Sequence, residues 1–423
     1  MRKLVGVITK RKKFQHGGTV VRFVNWVLAM RRQLVAQYGI GLRLLLGAVL
    51  LLTAGKAQAL PAFAVQTGQA CAACHVGGFG PQLTPLGREF KLEGYTMRSG
   101  TDFTAPISAM AVASYLQTSK DVAFPPAPNF GNNNNVALDK LSLFLAGGYG
   151  DHFGGLSEFT YFGVGSALAW DVLDLRAVDQ ATVDGQNVSF GMSLNNTPGI
   201  EDPWNTLPAW GFPYSRTALA PSPGSGTILA GALAQTVIGL NAYAWWNSSI
   251  YTEAGFYTSP GKGFLSAMGV VSGDASYQFT GDGANIYQVN AIFTNEDQSL
   301  NASSLLQESN PNDTLNDFRV DASYYWQNMI GGTVQVFNTW GSTDPLLYAG
   351  NSTFKPDSTG VVFQVDGTPF GVTPSSLGRR FNIRVGLQYT LYTKFNGAAS
   401  NFNGLGRNAS DNDALRVFVW LAM

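Results

Sequence analysis

The sequence predicts a mainly β chain, a transmembrane antiparallel β-barrel of about 14–16 strands, and three observations support this fold class. From about residue 107 onward, apolar and polar residues alternate with the two-residue period of a strand that has one apolar face. Only 13% of the 423 residues are charged, whereas 49 are glycine and 12% are aromatic, which suits a large sheet with many turns. The chain also ends inside an alternating apolar segment, residues 415–423, as the closing strand of an outer-membrane barrel does.

The first 59 residues have the pattern of a signal peptide. Three arginines precede an apolar run at residues 44–52, and small residues at 57–59 form a cleavage site. The apolar run is too short to span a bilayer as a helix, so we expect cleavage after Ala59. The basic segment before Met30 makes that methionine an alternative start.

The formal net charge of zero conceals an acidic mature chain. Residues 1–59 contain eleven of the 27 basic residues and none of the 27 acidic ones, so the remainder carries 16 basic against 27 acidic residues, a net charge of −11. This net negative charge excludes a nucleic-acid-binding protein and favours binding of cations or of a basic periplasmic protein.

The clearest chemical signal is the run Cys-x-x-Cys-His at Cys71, Cys74 and His75. In a c-type haem protein the two cysteines form thioether bonds to the haem, and the histidine is the proximal iron ligand. A disulfide, a redox dithiol or half of a zinc site are alternatives. However, a zinc site needs more ligands than the chain's two other histidines offer, and a dithiol leaves His75 unexplained. We therefore predict one covalent haem c at Cys71 and Cys74, with His75 on the iron.

Residues 60–104 are predicted to form a short helical cytochrome segment around this motif. A glycine-rich turn at residues 76–81 would let the backbone approach the porphyrin face. Thr84 is predicted to cap a helix that starts at Pro85 and ends at Gly94. Because so short a segment cannot build a core alone, it requires the haem and a surrounding protein wall.

The second iron ligand is left open by the sequence. Met97, just past the predicted helix, is the most local choice, and Met/His ligation would raise the reduction potential. Met97 could instead fill a gap in the segment, His152 could be the ligand, or the site could be open or water-bound. The mature chain offers one further histidine and six methionines as strong-field donors: His152, Met97, Met110, Met192, Met268, Met329 and Met423.

Residues 105–423 are predicted to form the barrel. Alternation is clearest at residues 141–145, 287–293, 317–326 and 384–391. A soluble β-sandwich would alternate in the same way, but aromatic residues near strand ends favour the interface girdle of a membrane barrel. The expected girdle residues are Trp245, Trp246, Tyr324, Trp326 and Trp340. Two long loops, at residues 195–227 and 344–374, are expected to fold over or into the mouth of the barrel.

These parts together predict a haem inside the barrel. The apolar band of such a barrel is about 25 Å tall, so a haem left in the periplasm could not exchange electrons with the exterior. The last strand turns Phe418 and Trp420 to the same side as Arg416, which would make the lining unusually apolar for a water-filled pore. We therefore expect a haem-bearing plug that passes single electrons across the outer membrane. The alternative is a porin or transport protein whose haem is structural or sensory.

Residues 66–97 resemble the cytochrome segment of the fused cytochrome–porins, the outer-membrane iron oxidases of iron-oxidising bacteria and their homologues. The resemblance continues through residues 202–212, 242–246, 392–397 and 406–412 and so covers nearly all of the mature chain. It implies one c-type haem on Cys71, Cys74 and His75, and a porin-like barrel in outer-membrane lipid. It also implies that the protein takes electrons from an extracellular donor such as Fe(II) for periplasmic c-type cytochromes, as an Fe(II):cytochrome c oxidoreductase or as an electron carrier.

Overall fold

In the part of the chain that the structure describes, one antiparallel sheet of 14 strands dominates the fold, which confirms the mainly β prediction. The structure is a computed structural model and describes residues 62–100, 106–213, 216–259, 268–279, 285–299, 309–370 and 381–423. The predicted signal peptide lies outside these residues. The strands are β1 (Ile107–Thr118), β2 (Asn135–Tyr149), β3 (Phe153–Phe162), β4 (Ala167–Val183), β5 (Gln186–Asn195), β6 (Ile238–Trp246), β7 (Ile250–Thr258), β8 (Met268–Phe279), β9 (Ile286–Ser299), β10 (Asn312–Trp326), β11 (Ile330–Gly341), β12 (Ser358–Gly367), β13 (Asn382–Lys394) and β14 (Ala414–Ala422).

Helices are few and short. Three α-helices lie near the start of the described chain: α1 (Ala62–Thr67), α2 (Cys71–Cys74) and α3 (Pro85–Leu92). Single 3₁₀ turns occur at Val76–Gly78, Pro198–Glu201, Pro208–Trp210 and Ala409–Asn412. Within the described ranges, every helix falls short of the length and apolar character needed to cross a membrane.

The strand order follows the chain and joins its two ends. Each strand pairs with its neighbours in sequence, except that β7 and β8 stand at the two ends of the sheet order. The first and last strands pair with each other, with Met110 of β1 opposite Ala422 of β14. Four hairpin turns at this end of the strands have two or three residues, such as Asp184–Gly185 between β4 and β5, whereas fourteen residues separate β12 from β13. The opposite end carries the long connections, such as residues 196–237 between β5 and β6.

The two faces of the sheet differ in the way the alternation predicts. Outward-facing residues are apolar and exposed: Leu143 is 48% and Val385 46% exposed. Inward-facing residues include charged side chains that are fully enclosed, such as Arg384, which is 0% exposed. Trp246 faces outward as expected of a girdle, but Trp245 lies inside, where it packs with the N-terminal helix residue Leu92. Phe418 and Trp420 share the inner face with Arg416, as predicted.

The interior is occupied by the N-terminal segment, residues 62–97. Its hydrogen bonds reach strands that are far apart in the sheet order. Tyr95 Oη donates to Asp174 of β4 at 2.5 Å, and Arg88 Nη1 donates to Gln278 of β8 at 3.2 Å. From the strands, Tyr243 Oη of β6 donates to the Leu92 carbonyl at 2.7 Å, and Arg384 Nη2 of β13 donates to the Gly77 carbonyl at 2.6 Å. Because one short segment contacts both halves of the sheet, the sheet curves around it.

Local signals in the N-terminal segment act as predicted at helix α3. The Thr84 side chain accepts a hydrogen bond from the Gly87 backbone N–H at 3.2 Å, and Pro85 follows as the first helical residue. Gly94, with a φ of +67°, follows the C-cap residue Glu93. The glycine-rich turn is predicted to approach the porphyrin face, but at Gly77 it packs closely against strand β13. A Cβ on Gly77 would lie 2.4 Å from Arg384 Nη2.

Gly87→Ala should destabilise the protein although alanine is the better helix former. A helix-interior Gly→Ala change gains about 1 kcal/mol from propensity alone. Here the new Cβ would lie 2.1 Å from the Cys74 carbonyl oxygen, so α3 would have to move away from α2. We expect a net loss of about 1–3 kcal/mol, measured as a lower midpoint of denaturant unfolding.

Gly100→Ala is the matched control, because no atom of the described residues lies within 4 Å of a Cβ at that position. A Gly87→Ala protein as stable as Gly100→Ala would show that α3 does not need this close contact with α2.

Candidate functional site

The Cys-x-x-Cys-His run forms one compact element. Cys71 and Cys74 begin and end the single turn α2, and the His75 backbone N–H donates to the Cys71 carbonyl at 2.9 Å. A spacing of three residues on a helical turn places both sulfur-bearing side chains on the same face. Both cysteines are free thiols and half-buried. All three residues line one cavity, so the structure brings together the residues that the motif singles out.

This cavity lies between the N-terminal segment and the inner face of the strands. Its volume is about 240 Å³. Its lining is mostly apolar and comes from three parts of the chain. The N-terminal segment contributes Phe63, Phe79, Leu83, Phe90 and Tyr95; strands β1–β3 and β14 contribute Met110, Phe144, Leu156 and Trp420; and the loop after β5 contributes Trp210.

His75 is held as a neutral imidazole. Burial, and next the charge of Arg384, lower the pKa of His75 to about 4, although backbone groups of Gly80 and Gln82 act in the opposite direction. At neutral pH the ring is therefore uncharged, which is the form that binds a metal. Its buried Nδ1 makes no hydrogen bond to any group in the part of the chain that the structure describes.

The two thiols are not activated. Burial raises the pKa of Cys71, and burial followed by the neighbouring Cys71 raises the pKa of Cys74 to about 11. Both are protonated at neutral pH, in contrast to the low-pKa cysteine of a thiol–disulfide enzyme. Across the described ranges, no group of three or more His, Cys, Asp or Glu side chains is placed to hold a metal ion. The arrangement therefore offers two thiols for covalent attachment and one neutral imidazole beside an apolar cavity.

Asn328, in the turn between β10 and β11, fastens the motif to the strands. Its Nδ2 donates to the carbonyls of Ala72 at 3.0 Å and His75 at 3.1 Å, and its Oδ1 accepts from the Gly77 N–H at 2.5 Å. The sequence does not reveal this role, because Asn328 lies 251 positions from Gly77 and an asparagine in a hairpin is an ordinary turn former.

The described parts of the loop between β5 and β6, residues 196–213 and 216–237, are here called the inner loop. It folds into the interior, where Asn205 and Trp210 line the cavity. Lys91 Nζ of α3 donates to the carbonyls of Ile200 at 2.5 Å and Asp202 at 2.7 Å, and to Asn205 Oδ1 at 2.8 Å. The same ammonium lies 4.9 Å from the centre of the Trp210 ring. These contacts confirm that the loop predicted at residues 195–227 folds inward. The prediction of a loop at residues 344–374 is wrong, because strand β12 (Ser358–Gly367) lies within it.

A buried ionic network joins the strand wall, the inner loop and the N-terminal segment. Arg176 of β4 donates from Nε to Asp174 and from Nη2 to Glu201 of the inner loop, both at 2.9 Å. Asp174 also accepts from Tyr95 Oη. The Arg176 and Asp174 side chains are 0% exposed. Sequence analysis missed this network because its members come from three separate elements.

The residues considered for the second iron ligand lie in different places. Met97 follows α3, and its carbonyl accepts from Gln66 Nε2 at 2.8 Å, but its side chain is not among those that line the cavity. His152 lies at an exposed hairpin turn, 3.9 Å from Asp179. Met110 of β1 does line the cavity. Ligation by Met97 stays a prediction.

The structural similarities of this chain to known proteins are weak. No protein-family model matches the chain, and no curated protein matches its sequence. Among solved structures, it is similar to OmpT, an outer-membrane protein of Vibrio cholerae in its trimer form, at 9% identity over 75% of this chain and 97% of that chain, with a TM-score of 0.36. It is also similar to an anion-selective porin from Comamonas acidovorans, at 11% identity over 75% and 98%, with a TM-score of 0.34. OccK2 of Pseudomonas aeruginosa gives 10% identity over 75% and 97%, with a TM-score of 0.34. At these scores the similarities carry no argument about function.

Proposed function

We propose that this protein is an outer-membrane β-barrel whose N-terminal segment is a plug with one covalent haem c, and that it carries single electrons across the membrane. The observation that carries the proposal is the placement of Cys71, Cys74 and His75 on an apolar cavity at the inner face of the sheet. Haem would supply the one-electron redox chemistry. The chain's own residues attach it, ligate its iron and exclude water from it.

The side chains of Cys71, Cys74 and His75 fit a covalently attached haem. Two free thiols on one helical turn are spaced for thioether bonds, and the adjacent imidazole is neutral and has a buried Nδ1 without a hydrogen bond. The cavity beside them is lined by aromatic and aliphatic side chains, which suit a porphyrin face. Asn328 and Arg384 bind the backbone on either side of His75 and so hold the ligand in place.

The outer membrane is the location that the surface pattern favours. Outward residues such as Leu143 and Val385 form an apolar exterior, and Trp246 and Trp326 are exposed outward next to short turns. Mostly short turns at the end where β1 starts and β14 ends, and mostly long loops at the other, are typical of barrels whose short turns face the periplasm. Pairing of β7 with β8 would close the sheet.

The proposed direction of electron flow follows from this orientation. An extracellular donor, Fe(II) or another reductant, would approach the long-loop end, and a periplasmic c-type cytochrome would accept electrons at the short-turn end. The excess of acidic residues after residue 59, 27 against 16 basic ones, favours a cationic donor and a basic acceptor.

Two measurements test this function. In stopped-flow absorbance, the oxidised protein mixed with Fe(II) should show growth of the reduced haem bands. In vesicles that contain the protein and enclose oxidised cytochrome c, external Fe(II) should reduce the enclosed cytochrome, whereas vesicles without the protein should not.

The possible failures are distinct. A protein that dithionite reduces but Fe(II) does not would exclude Fe(II) as the donor and leave the haem assignment intact. A haem-loaded protein that accepts electrons but never passes them to the enclosed cytochrome would contradict transfer across the membrane.

The second candidate is a porin whose haem is structural or sensory. Buried polar side chains on the inner face favour it, because porin interiors are polar: Ser142, Thr160, Asn290, Thr333 and Gln364 are examples. Planar-bilayer conductance of the haem-loaded protein separates the two functions. Open-channel currents would support transport, and a closed barrel would support electron transfer past a plug. Heat-modifiable migration of the detergent-extracted protein would exclude a soluble sandwich.

A further inference from the structure

The cavity holds few side chains that could bind the haem iron opposite His75. Among the residues that line it, the other candidate donors are the Met110 thioether, the Tyr95 phenol, the Glu158 carboxylate and the amines of Lys91 and Lys140. Tyr95 Oη donates a hydrogen bond to Asp174. Lys91 Nζ makes three hydrogen bonds to the inner loop. Lys140 Nζ lies 3.9 Å from Glu158 in an ion pair. This leaves the Met110 sulfur as the neutral donor on the cavity wall.

Met110 lies on the inner face of the sheet, with its side chain at the cavity. It lies near the start of β1, two residues before Val112, which is 0% exposed and faces the interior. Its side chain packs against a buried cluster that includes Val76 and Phe79, the residues that follow His75 in the chain. The thioether therefore lies close to the segment that carries the proximal ligand, although the two are far apart in sequence.

Trp420 fixes the orientation of this thioether. Its Nε1–H donates to Met110 Sδ at 3.2 Å across the β1–β14 pairing. The Trp420 ring in turn packs on Phe79, with ring centres 4.6 Å apart. A thioether sulfur has two lone pairs, so one can accept from Trp420 while the other stays available for a metal.

We propose that Met110 is the second protein ligand of the haem iron, and that Trp420 positions its sulfur. The proposal rests on the proposed function, because it requires covalent haem at Cys71 and Cys74. The iron would then be bound by the N-terminal segment on one side and by strand β1 on the other. Met/His ligation raises the reduction potential, and an N–H donor to the sulfur raises it further by withdrawing electron density.

The test compares Met110→Leu with Met97→Leu in the full-length, haem-loaded protein. Leucine conserves the side-chain volume and keeps the packing, but it removes the sulfur. Met110→Leu should lose the sulfur-to-iron charge-transfer band of the ferric protein and lower its reduction potential. Added imidazole should bind on the order of tenfold more tightly, because no protein ligand has to be displaced. Met97→Leu should leave all three properties unchanged.

Trp420→Phe is the second variant, because it removes the N–H donor and keeps an aromatic ring, although a smaller one, against Phe79. It should retain the charge-transfer band and lower the potential. Retention of the band in Met110→Leu, or its loss in Met97→Leu, would overturn the assignment of Met110. Absence of the band from the wild-type ferric protein would also overturn it, even if Met110→Leu could not be purified.

Covalent haem content, measured first on the wild type by the pyridine haemochrome spectrum, separates the two proposals. A wild type without covalent haem would contradict the proposed function and this inference together. A wild type with haem whose spectrum does not respond to Met110→Leu would contradict the assignment of Met110 alone.

Discussion

Replacing both Cys71 and Cys74 with serine should abolish covalent haem attachment and leave the 14-stranded sheet assembled. These are the only cysteines among the 423 residues, so no other thiol can form a thioether bond. The sheet should survive because the strand ladder uses neither side chain, and the N-terminal segment keeps its hydrogen bonds to Asn328 and Arg384. Haem-dependent peroxidase staining after denaturing electrophoresis measures attachment, and heat-modifiable migration measures barrel assembly.

Ala73→Ser is the matched control for this experiment. It introduces a hydroxyl into the same helical turn, at a half-buried position, and leaves both sulfurs in place. It should stain like the wild type. A double serine variant that still stains after denaturation would refute the attachment, and one that fails to assemble would show that the haem is required to build the barrel.

Arg176→Ala should cause the largest loss of stability among single substitutions in the network that joins the wall, the inner loop and the N-terminal segment. Arg176 is fully buried and pairs with Asp174 and Glu201 at 2.9 Å. Its removal leaves two buried carboxylates without their cation, a change that typically costs about 3–5 kcal/mol. We expect a lower midpoint of denaturant unfolding, and faster proteolysis of the inner loop in the folded protein.

Lys120→Ala is the control for this prediction. Lys120 forms an ion pair with Asp411 at 3.1 Å, but its side chain is 58% exposed. An exposed pair contributes about 0–1 kcal/mol, so the midpoint should move little. If Arg176→Ala cost no more than Lys120→Ala, the buried network would not contribute to holding the inner loop in the interior.

The double variant Arg176→Ala with Glu201→Gln tests whether unpaired charge causes the loss of stability in Arg176→Ala. Neutralising Glu201 removes one of the two unpaired carboxylates while keeping the side-chain shape, so it should recover part of the lost stability. No recovery would point to lost packing against Tyr243, whose ring centre lies 5.2 Å from the guanidinium carbon.

Several features of the site could be predicted because their signals are local. The cap at Thr84, the first helical residue Pro85 and the end at Gly94 depend on residues within one helix, and all three occur as expected. The inward direction of Phe418 and Trp420 follows from the two-residue period of one strand. The adjacency of Cys71, Cys74 and His75 on one turn follows from their spacing.

The inward position of Trp245 could not be predicted from such local signals. Trp245 and Trp246 both lie near a strand end, but neighbouring residues point to opposite faces, and only Trp246 faces outward. Which of the two enters the core is decided by the register of β6 and by its contact with Leu92.

By itself, the sequence determined that the chain is mainly β, where its short helix begins and ends, and which residues carry the candidate haem chemistry. Only the tertiary structure decided what surrounds that chemistry: Asn328 bound to the motif backbone, the inner loop bound to Lys91, and Met110 on the cavity wall. The physical reason is the range of the interactions involved. Periodicity and capping act within one element, whereas these contacts join residues far apart in the chain, which only strand pairing and the seating of the N-terminal segment bring together.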